Sequence, residues 1–465
     1  MSKKSESPNR SRTPHSKEFL EFISSNWAAA SEPEASELEV AAFAKARRDK
    51  VASQFKGKLL VIEAGEAKTR SNDTDYRYRP HSAFAHLTGW GSETVPGSVL
   101  VIDARDKKVK HTLYFRPTAG RDSDEFFANP AIGEFWVGPR PNLEAVSKIL
   151  GIKTRDIAKL AKFRKENSKA LTLEDDSLAQ SLSELRLIKD SYEIAQMRKA
   201  VNVTIAGFGD VARSLPLAAR KSRGERVVET AFFTRARLDG YDLGYDTIAA
   251  SGPNACTLHW TRNDGEVRNG ELILVDAGVE LDSLYTADVT RTIPVNGRFT
   301  EAQKMVYQAV LDAADAAMAI VRPGIKFRDI HNAAMVVIAD RVSKFGLIPV
   351  SAEEALDPER QHHRRFMVHG TSHHLGMDVH DCAKARRELY LDGVLEPGMI
   401  FTIEPGLYFQ KDDLLVPAEL RGIGVRIEDD ILVTDTGYEN LSGALPREID
   451  QLESWYAEAL LGSAG

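Results

Sequence analysis

Six of the chain's twelve histidines fall between His362 and His380, and four of them, His369, His373, His374 and His380, share the stretch FMVHGTSHHLGMDVHD at residues 366–381. Imidazole is the commonest metal ligand and the only side chain that titrates unperturbed near neutral pH, so such a cluster points to metal or proton chemistry. Histidine spacing alone leaves a second reading open, a solvated surface turn. The carboxylates elsewhere in the chain weigh against it. Asp276 ends the apolar run ELILVDAG, beside Leu272, Ile273, Leu274 and Val275, where a buried carboxylate needs a cation, a partner or a proton. Asp288 follows in TADVTRT, Glu404 in MIFTIEPG and Glu428 in GVRIEDD, each again in strand-like surroundings. One acid near a strand end is commonly a turn residue or a surface charge. Four of them in apolar strands, with a histidine cluster, are hard to obtain as surface accident.

The elements that must bring these residues together are legible from periodicity. Between Asp276 and Asp288, Gly278 and Asp282-Ser283 suit a hairpin turn, which lets both carboxylates face one volume from neighbouring strands. Alternation along GVRIEDD puts Arg426 and Glu428 on one face, so the arginine can orient or neutralise the acid. Helical patterns over 190–214 and about 223–239 precede the strand-like TIAASG, ELILVDAG and TADVTRTIPV. Helical patterns over 300–321 and about 327–345 precede FMVHG, MIFTIEPGLYF and GVRIEDDILVT. Asp190 with Glu193 and Thr300 with Gln303 read as capping pairs, and Pro323-Gly324 and Gly346 as stops. The order helix, helix, strands therefore occurs twice, as two related halves facing one site would require.

Upstream, KLLVIEAG (58–65), SVLVIDA (98–104) and HTLYFRP (111–117) read as strands, NLEAVSKIL as a helix and Glu18–Arg48 as helical, giving a first α/β domain. Its boundary falls between Gln180 and Asp190. At 465 residues the chain exceeds one ordinary hydrophobic core, so two domains are expected. A net charge of -7 gives no basic footprint for phosphate backbones, which argues against nucleic acid as a partner. The cysteines, Cys256 and Cys382, lie far apart, which argues against a disulfide framework and fits a reducing cytoplasm. The opening MSKKSESPNRSRTPHSK is followed by no apolar segment and reads as a disordered tail over residues 1–17, with neither signal peptide nor membrane anchor. A soluble intracellular protein is expected.

The segments TIAASGPNACTLHW, LVDAG, ADVTRTIPVNG, HGTSHHLGMDVHD, LEPGMIFTIEPGLY and RGIGVRIEDDILVT resemble the pita-bread metallopeptidases, the family of aminopeptidase P and prolidase. TRSNDTDYRYRPHSAFAHLTGW and EFWVGPRP are similar to the amino-terminal domain of aminopeptidase P, so the resemblance spans nearly the whole chain. It implies an α/β (α+β) protein: a smaller amino-terminal domain over 18–185, then a pita-bread catalytic domain over 186–465 with pseudo-two-fold halves. It implies an aminopeptidase that removes the first residue from peptides with proline second. The alternatives are an Xaa-Pro dipeptidase and, more remotely, a metal-free creatinase-like hydrolase or a peptide-binding scaffold.

Carried over by motif, the resemblance makes Asp276, Asp288, His373, Glu404 and Glu428 the ligands of two divalent ions per subunit, with Asp288 and Glu428 bridging. Mn(II) is the expected ion and Co(II) or Zn(II) the alternatives, because oxygen-rich ligation with one imidazole favours hard cations. It further implies attack by a hydroxide held between the ions, with Glu404 as proton shuttle and His369 and His380 on the substrate carbonyl and its developing charge. Arg426 would support the ligand shell and His259 line the substrate side. Trp136 would reach a neighbouring subunit's site in a dimeric or tetrameric homo-oligomer, or else be an ordinary core aromatic. His374 receives no role beyond packing or support of the ligands. One departure stands out: Asp276 and Asp288 are twelve residues apart, one more than the family spacing; an extra residue in the hairpin loop 279–285, the simplest account, or a bulge leaves both strands facing as before, whereas a register shift of one residue would turn Asp288 away.

Overall fold

The structure, a computed structural model, describes residues 16–28, 35–72 and 74–461. The chain divides into two compact units, Met1–Leu182 and Ser183–Gly465. No helix among the described residues is long and apolar enough to cross a membrane. The tail expected over 1–17 lies outside the described residues except for Ser16 and Lys17. There the Ser16 hydroxyl accepts from the Phe19 N–H and caps a helix over Lys17–Ile23. The single helical stretch expected over Glu18–Arg48 is instead two helices, Lys17–Ile23 and Val40–Gln54. Between them the sequence loses its apolar periodicity, and residues 35–38 carry no helix.

The first unit is built on a four-stranded sheet in the order Leu59–Glu63, Val99–Asp103, Lys110–Phe115, Lys153–Asp156. The first three strands are antiparallel and the last joins parallel. Alternating residues Leu59, Val61, Val99, Val101 and Tyr114 pack on one face with Leu160.

The second unit opens with the helix Ser191–Ala218, started by the Asp190–Glu193 capping box, and the helix Gly224–Asp239. These pack with an antiparallel sheet of three strands whose centre is Leu272–Ala277, flanked by Ile248–Ser251 and Val289–Pro294. Every residue of those strands is buried: Ile248–Ser251 and Leu272–Ala277 are largely apolar, whereas Val289–Pro294 buries Thr290, Arg291 and Thr292 through hydrogen bonds to the other half. The same order then recurs: helices Glu301–Ala319 and Phe327–Lys344, followed by sheets of Ile400–Ile403 with Asp429–Val433 and of Gly406–Tyr408 with Gly424–Arg426. A bridge between Thr290 and Glu428 joins the strands of the two halves.

Three details depart from the expected strands. FMVHG is not a strand: Phe366 and Met367 are buried in the core, but Tyr408 N to Phe366 O is an isolated contact, and the run ends at Gly370. MIFTIEPGLYF breaks into two strands at Glu404-Pro405, because proline has no N–H for a ladder. GVRIEDDILVT breaks at Ile427-Glu428, where the chain changes sheet. Both breaks place an acid at a point released from its strand.

Candidate active site

The Asp276 carboxylate leaves the middle strand opposite Thr290, in a ladder that runs from Leu272↔Pro294 to Ala277↔Val289 without a shift. The longer spacing to Asp288 is absorbed beyond it, in a turn where Leu281 N–H donates to Tyr285 O and Leu284 takes φ 67°. Asp288 therefore faces the same volume as Asp276. The Tyr245 hydroxyl measures the convergence, lying 2.6 Å from Asp276 Oδ1 and 2.5 Å from Asp288 Oδ1. From the second half, His373 Nε2 lies 3.2 Å from Asp288 Oδ2 and 3.5 Å from Glu404 Oε1. Glu428 Oε2 accepts from the Thr290 hydroxyl at 2.6 Å. Arg426 Nη2 donates to Asp276 Oδ2 at 2.5 Å, its Nε to Thr290 Oγ1 at 3.1 Å and its Nη1 to the Tyr408 hydroxyl at 3.2 Å. All of these groups line one cavity of about 570 Å³ except Thr290 and Tyr408, which support it from behind.

Burial and mutual repulsion strain the charges of this cluster. Burial, then the neighbouring acids, pushes the Glu428 carboxyl well above the usual range, while burial and the charge of Asp288 raise Asp276 against the pull of Arg426. Burial lifts Glu404 to about 7, opposed by His373 and Arg426. Burial works to lower His373, yet its hydrogen bond to Asp288 and the charge of Glu404 carry it up to about 9. Burial, with Arg426 nearby, lowers His369 to about 4, and burial beside His373 lowers His380.

These residues fit a divalent cation. Four carboxylates face one arginine and one protonatable histidine, His373, an excess of buried negative charge that a bound cation would offset. Asp288, His373 and Glu428 each offer a donor atom, all within 4.8 Å of one another. Asp276 extends the group through the shared Tyr245 hydroxyl and Glu404 through His373. One nitrogen among oxygens is the donor set of a hard or borderline divalent metal.

The other expected residues are placed as follows. His369 Nε2 meets the Tyr408 hydroxyl at 2.7 Å and its Nδ1 lies 3.6 Å from Glu404 Oε2. The His380 ring stands edge-on to His373, with centroids 4.4 Å apart. His259 also lines the cavity. Trp136 belongs to the amino-terminal unit, 54% exposed, with its indole N–H donating to Phe127 O at 2.6 Å. It is not a core aromatic. His374 stacks on Phe327 at 4.5 Å, and its backbone N–H donates to the Tyr390 hydroxyl, so it packs the floor of the loop.

Tyr245, Thr290 and Tyr408 are the site residues that periodicity did not single out. Tyr245 sits in a turn, GYD, where no helical or strand pattern runs. Its turn lies close enough to the hairpin that a Cβ on Gly244 would stand 1.9 Å from Thr286 Oγ1, and one on Gly278 1.7 Å from Ala287 O. Those two glycines are the signal that the sequence held for it.

Comparison with known proteins gives consistent matches. The model of metallopeptidase family M24 matches residues 195–435, and that of the aminopeptidase P amino-terminal domain matches residues 44–173. The chain is 47% identical over 461 residues to Xaa-Pro aminopeptidase 1 of Streptomyces coelicolor, covering 95% of this chain and 92% of that protein. It is 31% identical to the Xaa-Pro aminopeptidase of Escherichia coli, covering 90% of this chain and 98% of the relative. The solved structure of E. coli aminopeptidase P with the inhibitor Pro-Leu superposes with a TM-score of 0.78 at 29% identity, over 91% of this chain and 99% of the other.

Proposed function

The chain belongs to metallopeptidase family M24, and from that premise we infer that it is a metal-dependent Xaa-Pro aminopeptidase, removing the first residue of peptides whose second residue is proline. The observation that carries this reading is the gathering of Asp276, Asp288, His373, Glu404 and Glu428 around one cavity from both halves of the second unit. We assign those five as the residues that would hold two divalent ions, with Asp288 and Glu428, whose donor atoms lie within 4.8 Å of each other and of His373, as the pair that would serve both. When bound, the ions supply Lewis acidity, which lowers the pKa of water and offsets charge on the scissile carbonyl.

The protein's own groups account for the rest. A bond to proline is a tertiary amide, so the leaving nitrogen carries no proton and must receive one. Glu404, open to the cavity beside His369 and His373, is the group we assign to carry a proton on a carboxylate oxygen to that nitrogen. His369 and His380, kept neutral by burial, are placed to bind the carbonyl and the charge that grows on its oxygen. Arg426 fixes Asp276 and, through Thr290, Glu428. His259 borders the substrate side.

Mn(II) is our assignment for the ion, supported by the oxygen-rich donors, ahead of Co(II) and Zn(II); one solved relative is described as Zn-substituted E. coli aminopeptidase P in complex with product. We place the enzyme in the cytoplasm on the strength of two free, buried cysteines, and in a homo-oligomer on the exposure of Trp136, whose ring would serve a neighbouring subunit's site. The test joins metal analysis to a panel of peptides that differ only in the second residue. Cleavage confined to proline peptides, lost to a chelator and restored by Mn(II), is expected; a metal-loaded protein indifferent to proline would defeat the substrate assignment. Comparing a Pro-2 tripeptide with an Xaa-Pro dipeptide separates the aminopeptidase from a dipeptidase.

A further inference from the structure

Beside the catalytic cavity lies a second of about 610 Å³, and the two share a wall of His369, Gly370 and Ser372. Both volumes fall in the range of small-ligand sites. The shared wall is low at Gly370, where nothing stands within 4 Å of a Cβ position. Met335, Val336, Leu356 and Met367 give the second cavity an apolar lining.

Charge differs sharply across the wall. Asp246, Asp276, Asp288, Glu404 and Glu428 line the catalytic side, whereas the second cavity is lined, among the described residues, by no carboxylate and by two arginines, Arg328 and Arg364. Arg328 is paired with Asp392. Arg364 donates to neutral oxygens, Gln361 Oε1 at 2.6 Å and Val368 O at 3.4 Å, and has no carboxylate partner among the described residues. Burial lowers the pKa of His331 and His363, so their imidazoles leave this balance unchanged at neutral pH.

A free peptide carries an ammonium at one end and a carboxylate at the other. The acid-rich cavity suits the amino end, where the first bond is cut, and the remainder of the chain must then pass beyond that cavity. The low wall at Gly370 opens toward an apolar, positive space. We propose that the second cavity binds the substrate residues downstream of the proline, with Arg364 as the counter-charge for the terminal carboxylate of short peptides. This deepens the aminopeptidase reading and rests on it: it makes short free-acid peptides the favoured substrate class.

The test measures kcat/KM for the metal-loaded enzyme and for Arg364→Ala, Arg364→Lys and Val336→Trp. The substrates are Xaa-Pro amide, Xaa-Pro-Ala and Xaa-Pro-Ala-Ala, the last two both as free acids and as carboxyl-terminal amides. Xaa-Pro amide has nothing to place in the second cavity and reports basal activity and folding. Wild type is expected to prefer a free acid over its amide, and Arg364→Ala to lose about tenfold on the free acid alone, since a charged hydrogen bond is removed. Arg364→Lys should restore part of that loss, and Val336→Trp should impair both forms of the longer peptides while sparing Xaa-Pro amide. Equal rates on acids and amides in wild type, or a uniform loss on every substrate in Arg364→Ala, would overturn the proposal and leave the aminopeptidase reading standing. Failure of wild type to cleave any proline peptide would sink the reading itself.

Discussion

Asp288 lies within reach of the Tyr245 hydroxyl and of His373 Nε2, and its backbone N–H donates to Asp430 Oδ2 at 3.1 Å. Glu428 answers it from the other half, held by Thr290. An amide of the same shape keeps the hydrogen-bonding outline but cannot balance two cations. Asp288→Asn and Glu428→Gln are therefore expected to cut kcat/KM by at least about 100-fold and to lower the bound metal, with far-UV circular dichroism unchanged. Near-wild-type turnover in either variant would remove the shared-ligand assignment. His369 and His380 line the same cavity and are not among the five ligands proposed above. For His369→Ala and His380→Ala we expect turnover to fall by about 10²–10³ with the metal retained, measured by elemental analysis alongside kcat. Metal loss in those variants would mean that the ligands are misassigned.

At the scale of elements, the Val289–Pro294 strand does two jobs, pairing with Leu272–Ala277 and presenting Arg291 to the other half. Arg291 and Asp429 are both fully buried and meet at 2.7 Å, and the guanidinium also donates to Glu428 O, Leu445 O and Pro446 O. Removing the cation leaves the buried Asp429, among the described residues, with only the Ser442 hydroxyl at 2.6 Å and Arg447 at 3.4 Å, and several carbonyls without their donor. Arg291→Met should cost about 3–5 kcal/mol in denaturant unfolding, a loss far larger than an exposed arginine would give. In the first unit, His111 on the Lys110–Phe115 strand has its pKa lowered to about 4 by burial and then by Arg48. Between pH 4 and 6.5 the unfolded chain binds the extra proton, so stability rises with pH through that window and is lost on acidification. His111→Phe should flatten that slope in a pH series of unfolding midpoints; an unchanged slope would show that other groups set it.

For the whole molecule, the acids of the site repel one another and a bound cation would relieve them, so metal binding and folding of the second unit are expected to be linked. Saturating divalent metal at ~100 times its dissociation constant stabilises by about 2.7 kcal/mol per site. A chelator should therefore lower the unfolding temperature together with the activity, and Mn(II) should restore both. Loss of activity with an unmoved unfolding temperature would mean that the acids are relieved by protons rather than by metal.

The residue types and their strand contexts were enough to mark the acids and the histidine that gather at one cavity, because an acid in an apolar strand is costly and must be compensated, a constraint that acts locally and shows in one dimension. Asp276 and Glu404 were legible for that reason, and so were the capping boxes at Asp190 and Thr300 and the twofold order of helices and strands. Tyr245 was not, since nothing in GYD distinguishes a tyrosine that spans two carboxylates from one on a surface turn. FMVHG carried a strand pattern that its surroundings did not honour, because a strand needs a partner edge and periodicity does not supply one. The opposed charge of the two cavities belonged wholly to the tertiary structure: Arg364 and Glu404 lie 40 residues apart in the chain, and only folding sets them on either side of one wall.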